Sequence, residues 1–208
     1  MRNLSGNYNT TNVELDIVKQ LFDNADVPYT NIRKCSDADA GDIVVTAYGK
    51  DIIIEVKEEN YKTRFCKYRQ LGFDYLSVFY LKYNVNRNKW RGVMKPYKYL
   101  ELESDIDTNA KLKKGKIFYS DSHLWLFFSQ DEGEIKCSEF FNGKDIVNPN
   151  FRDYLFANCE FAVNDKPIWQ DSYRDNYLSA VIYVNANDKF LNQYKVDNLN
   201  EFIQNIED

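Results

Sequence analysis

Histidine is nearly missing from this chain of 208 residues, which holds one, His123. Zinc sites of the H-E-x-x-H kind, phosphotransfer by paired histidines and multi-histidine nuclease centres all need more, so none of them is available. The four cysteines (Cys35, Cys66, Cys137, Cys159) include no C-x-x-C pair. That excludes a zinc ribbon or a dithiol redox motif and leaves the expectation of buried thiols. With 8 glycines and 4 prolines the chain is no collagen or low-complexity tract. Long apolar runs are lacking too. LSVFYL from Leu76 and LWLFF from Leu124 fall far short of the roughly 20 residues a bilayer demands. MRNLSGNYNTTN is polar where a signal peptide carries its apolar stretch. The expectation is a protein with no membrane span, placed in the cytoplasm, where thiols stay reduced.

Aromatic side chains are plentiful at 16%, and hydrophobic residues at 44% suffice for a substantial core. The net charge of −5 speaks against a surface coated in positive charge for nucleic acid. The charge is unevenly spread, however. Residues 50–100 hold 12 Lys and Arg against 5 Asp and Glu, a local +7, while residues 1–49 carry −3 and residues 101–208 carry −9. Lys62, Arg64, Lys67, Arg69, Arg87, Lys89 and Arg91 lie in this basic stretch with Trp90, Tyr97 and Tyr99 nearby. Such a mixture suits phosphate contacts and base stacking.

TTNVELDIVKQLFDNAD places Val13, Ile17, Val18, Leu21 and Phe22 at helical spacing, with Thr11 and Glu14 as a capping box at its start. A strand is expected over Val27 to Cys35, followed by a polar loop, SDADAG. Next, GDIVVTAYGKDIIIEVK reads as two strands, Ile43–Ala47 and Asp51–Lys57, around a tight turn at Tyr48 and Gly49. Both runs are apolar at nearly every position, as in strands buried on both faces. The spacing predicts a helix over EENYKTRFCKYRQLG, stopped at Gly72. A strand from Phe73 would then lie parallel to the IIIEVK strand after the crossover. The segment after Lys116 reads as two or three antiparallel strands turning near Asp121 and Gly133, and DNLNEFIQNIED as a closing helix.

A turn at 48 and 49 pairs residues whose numbers sum to 97, which sets Asp42 across from Glu55. Lys57, two residues on, shares the face of Glu55. Two carboxylates set close together repel one another unless a cation lies between them. Magnesium suits such a site, since it takes oxygen ligands and is commonly held by one or two carboxylates with substrate phosphates. A lysine alongside could orient a water and neutralise charge on a phosphorane.

The run from Gly41-Asp42 to Glu55-Val56-Lys57 resembles the signature of the PD-(D/E)xK nuclease superfamily, with Gly41 standing where proline is usual. The likeness covers roughly residues 10 to 83 and is nearest to junction-resolving and restriction-type members. It implies an α/β fold, with a restriction-endonuclease-like core over residues 1–100 (a mixed sheet flanked by helices) and a β-rich elaboration over 101–208. It implies a magnesium-dependent DNA endonuclease, with manganese able to substitute, that leaves a 5′-phosphate and a 3′-hydroxyl. Asp42 and Glu55 would hold the metal, Lys57 would be the catalytic lysine, Glu14 a further carboxylate and Gln70 a supporting polar group. Homodimers that cut both strands are common among such enzymes. Two other readings stand beside this one: a nuclease fold that only binds nucleic acid or protein, and a carboxy-terminal half that recruits a protein partner. The acidic loop at Asp37 lacks the glycine position and twelfth-place glutamate of an EF-hand, and His123 in DSHLW has no nucleophile beside it.

Overall fold

A computed structural model describes residues 6–37, 40–59, 70–80, 111–158, 160–170 and 173–206. It is mixed α/β. The described elements are α1 (Gly6–Asn24), β1 (Tyr29–Lys34), β2 (Ile43–Ala47), β3 (Lys50–Glu58), β4 (Gln70–Tyr80), β5 (Lys111–Lys114), β6 (Leu124–Asp131), β7 (Glu134–Asn142), α2 (Gly143–Ile146), α3 (Pro149–Asn158), β8 (Glu160–Gln170), β9 (Tyr173–Asn185), α4 (Lys189–Asn192) and α5 (Leu199–Gln204). They form a five-stranded sheet in the order β1-β2-β3-β6-β7 and a four-stranded sheet in the order β5-β4-β9-β8.

The chain divides into two units, each assembled from separated stretches. The first comprises Met1–Leu71, Ser120–Ile146 and Asn185–Asp208, and the second Gly72–Tyr119 and Val147–Val184. A division at residue 100 is therefore not the one the structure draws. Strands β6 and β7, expected in the carboxy-terminal elaboration, belong to the same sheet as the β2–β3 hairpin.

That sheet follows from the strand alternation of its residues. Ile43, Val45, Ala47, Ile52, Ile54, Val56, Leu124, Leu126 and Phe128 point to one face. There they bury against Ile17, Val18 and Phe22 of α1 and Leu199 and Ile203 of α5. The alternate set, Val44, Glu55, Trp125, Phe127 and Phe141, points to the other face and is buried as well. Near-continuous apolar strands are the expected mark of this double burial. Helix α5 is started by Asn198, whose side chain accepts the Glu201 N–H at 3.1 Å.

The hairpin register is the expected one: Ile43 pairs Ile54, Val45 pairs Ile52 and Ala47 pairs Lys50. Tyr48 and Gly49 take φ of 51° and 80°, the two left-handed residues of a type I′ turn, whose twist matches that of the flanking strands. The Glu132-Gly133 turn of the β6–β7 hairpin repeats this, at 52° and 85°.

Other expectations fail. Helix α1 begins at Gly6, so Thr11 and Glu14 lie inside it and form no capping box. Gln70 opens strand β4, so the helix expected to end there with Gly72 as its stop does not extend to these positions. The parallel neighbour of β3 is not the strand at Phe73 but β6, with Glu55 beside Trp125 and Lys57 beside Phe127. The strand containing Phe73 lies in the four-stranded sheet, antiparallel to β5. The expectation of two or three antiparallel strands after Lys116 with a turn at Gly133 does hold: a 3-10 turn, Lys116–Phe118, precedes two antiparallel strands, β6 and β7. Cys137 is disulfide-bonded, contrary to the reading of four thiols on which the cytoplasmic expectation partly rested. Cys35 is free.

In the second unit, Phe73 meets Phe151 edge to face at 5.3 Å. The Arg152 guanidinium stacks over Phe118 and donates to the carbonyls of Ile117 and Val147. Among the described residues no helix is long and apolar enough to cross a membrane.

Candidate functional site

The end of the β2–β3 hairpin away from its turn gathers the ionisable residues. Asp42 lies one place before β2, and its backbone does not simply continue the ladder. Its N–H donates to Ile54 O at 2.9 Å and its carbonyl accepts from Cys35 N at 2.9 Å. Its carboxylate Oδ2 accepts the Val56 N–H at 2.8 Å. A side-chain oxygen thus takes an amide that a ladder carbonyl would otherwise accept, and this fixes the carboxylate beside the Glu55-Val56-Lys57 segment. Gly41, just before it, is packed so closely on β3 that a Cβ there would stand 2.5 Å from Ile53 Cγ2.

Glu55 is fully buried, and Lys57 Nζ lies 2.8 Å from its Oε1. The ion pair spans two positions of one strand, as side chains on a common face require. Beside Glu55 on β6 stands Trp125, also fully buried. Lys57 Nζ is 5.9 Å from the centre of its ring, within the range at which a cation is drawn to an indole face.

Glu14 comes from the middle of α1. Its carboxyl is raised above the usual carboxylate range, first by burial, then by the charges of Asp42 and of Glu58; Lys34 and Lys57 oppose the shift. Glu14 therefore feels four charged groups, from β1, β3 and the loop before β2. Lys34 and Glu58 escaped the sequence reading. The signal for Lys34 was its position at the end of β1, opposite Ile43 and next to Asp42.

Trp125 was also missed. The apolar run LWLFF announced a buried strand, yet nothing local told which strand it would join. Its register is set just upstream, where His123 N donates to Ile53 O at 2.8 Å while His123 Nδ1 accepts the Ile53 N–H at 3.0 Å. His123 is thus a ladder element, and its pKa is lowered by burial and then by Lys144. A protonated ring could not accept that hydrogen bond.

Of the expected site residues, the structure pairs Glu55 with Lys57, fixes the Asp42 carboxylate on the Val56 N–H, and places Glu14 within electrostatic reach of Asp42 and Lys57. It sets Gln70 on β4, in the other sheet. Lys62, Arg64, Lys67, Arg69, Arg87, Lys89 and Arg91 lie outside the described residues. Among the described residues no three of His, Cys, Asp and Glu converge closely enough to hold a metal ion by themselves. Comparison of the chain with protein families, with characterised proteins and with solved structures finds no match.

Proposed function

We propose that this chain is a metal-dependent DNA endonuclease with a core of the PD-(D/E)xK, restriction-endonuclease-like kind. The observation that carries the reading is the convergence of Asp42, Glu55 and Lys57 at one end of a buried hairpin, with Glu14 of α1 coupled to it. Support also comes from the order of elements. One helix and a three-stranded antiparallel meander stand in the order expected of that core, and a strand parallel to β3 is present, although it is β6 and not the strand at Phe73.

The donor set fits a magnesium ion, with manganese able to replace it. Asp42 and Glu55 are hard oxygen donors, and two carboxylates with waters and a substrate phosphate make a common magnesium shell. Glu14, raised first by burial and then by the charges of Asp42 and Glu58, would add a further carboxylate beside them. When bound, the ion would polarise the scissile phosphate and lower the pKa of a bound water. The chain's own groups supply the rest. Asp42, tied to Val56 N–H, holds a fixed carboxylate at the strand end, and Glu55 holds the Lys57 ammonium near. Lys57, part exposed, would face the phosphate and offset charge developing on its oxygens. The basic residues from Lys62 to Arg91 are proposed to hold the DNA backbone.

The test is a cleavage panel of linear duplex, four-way junction, flap, single-stranded DNA and RNA, each with magnesium, manganese or EDTA. Metal-dependent cutting of at least one DNA is expected. Glu55→Gln and Lys57→Ala should each lower the rate by about a hundredfold or more while circular dichroism and Tm report a folded protein. No cleavage of any substrate overturns the proposal. DNA binding without cleavage, unchanged by magnesium and by Glu55→Gln, would instead identify a binding module.

A further inference from the structure

We propose that Trp125 is the positioning residue of this site, its indole fixing where the Lys57 ammonium stands. The inference deepens the nuclease reading and rests on it for the catalytic consequence, but its structural content is independent of that reading.

A lysine is a poor candidate for a fixed group. Its four-carbon stem has several rotatable bonds, and immobilising it costs rotamer entropy. Lys57 is held from two directions. Glu55 Oε1 is at 2.8 Å on its own strand, and the face of Trp125 is on the adjoining one, 5.9 Å from Nζ to the ring centre. An ion pair alone leaves an ammonium free to pivot about its carboxylate, because a point charge has no preferred direction. The ring removes that freedom, since a cation is attracted to the face of an indole and not to its edge.

The ring itself is anchored. Trp125 is fully buried, tilted against Phe127 at 6.2 Å between ring centres, and Phe127 meets Phe141 edge to face at 5.7 Å. His123, two residues upstream, locks β6 to β3 through both of its bonds to Ile53. Three aromatic rings thus carry the register of β6 to a single ammonium. Glu14 on α1 also interacts electrostatically with Lys57, and on β7 Glu139 pairs with Lys195 at 3.1 Å.

The experiment uses the full chain and two readouts. The first is the proton NMR shift of the Lys57 ε-methylene in the protein alone. Ring current should displace it upfield of the other lysines, and Trp125→Leu should return it to their range, whereas Trp125→Phe keeps part of the displacement. The second is magnesium-dependent cleavage. Trp125→Leu should lower kcat about tenfold to a hundredfold, the scale of a misplaced catalytic group, with KM for DNA within twofold, and Trp125→Phe should recover most of the loss. Lys57 resonating with the other lysines in the wild type overturns the proposal. So does a folded Trp125→Leu protein whose kcat stays within twofold. If the wild type cuts no DNA, the nuclease reading fails and the NMR shift alone decides whether Trp125 orients Lys57. Should Trp125→Leu not fold, protein carrying fluorinated tryptophans keeps the packing while weakening the ring's pull on a cation. The Lys57 displacement should then shrink as fluorines are added, and an unchanged value overturns the proposal.

Discussion

At the scale of single residues, the site joins groups whose costs differ. Glu55 is buried but paired, so its charge is compensated. Glu14 is half-buried and faces two other carboxylates, which raises its pKa. A group whose folded pKa lies above its unfolded value contributes stability below the unfolded value and loses it as pH rises through the folded one. Ionised Glu14 therefore weakens the fold near neutral pH. Glu14→Gln in EDTA should raise the urea midpoint at pH 7.5, and the gain should close as pH falls toward about 4. A lower midpoint for the variant at pH 7.5 would contradict this. The common face of Glu55 and Lys57 was legible in the sequence because strand alternation is strict, and the turn fixed the register that sets Ile43 on Ile54. For Glu14, read both as a helix cap and as a further carboxylate, the cap reading failed because Thr11 and Glu14 have capping-box spacing by coincidence. The true start of α1, at Gly6, carries no such pattern.

At the scale of elements, two turns and one histidine set the sheet. Gly49 has a φ of 80° and nothing within 4 Å of a Cβ placed there. Gly49→Ala should then cost only its backbone strain, about 1 kcal/mol in urea unfolding. Gly143 contrasts with it, because a Cβ there would run into the Ser122 carbonyl oxygen. Gly143→Ala should cost more than Gly49→Ala, since a backbone segment must move, and equal losses would argue against the close approach of α2 to the Ser122 segment. His123 gives a pH dependence of opposite sign to Glu14. Its folded pKa lies below the unfolded value, so its contribution is whole above about 6.5 and is lost as pH falls below that. Unfolding midpoints should drop between pH 7.5 and 5.5, and His123→Asn should flatten that drop. The β2–β3 hairpin was readable because its partners are neighbours in sequence. The partner of β3 was not, because β4 is equally rich in β-formers and follows sooner. Local composition cannot distinguish the strand that comes next from the strand that pairs.

At the scale of the whole molecule, the described sheet cannot be assembled from the first hundred residues. A fragment ending at Leu100 lacks β6, β7 and α5, and with them Leu124, Leu126, Phe128, Leu199 and Ile203 of the main core. It is expected to show no cooperative unfolding transition by circular dichroism, whereas the full chain should. A cooperative fragment would mean that β3 finds another neighbour. The sequence-level division missed this because it followed the nuclease-like motif along the chain, while the unit that contains the motif is built from three separated stretches.

The parallel pairing of Glu55 with Trp125 joins positions 70 residues apart. A nascent chain thus exposes Asp42, Glu55 and Lys57 seconds before β6 leaves the ribosome, at synthesis rates of about 5–20 residues per second. Over that interval the acids and the lysine share a hairpin, but Trp125 is not yet there to aim the lysine. If the proposed chemistry is right, the ability to cut DNA is acquired late in synthesis, after most of the protein exists. A chain interrupted before residue 125 would carry the cleavage motif without the aim.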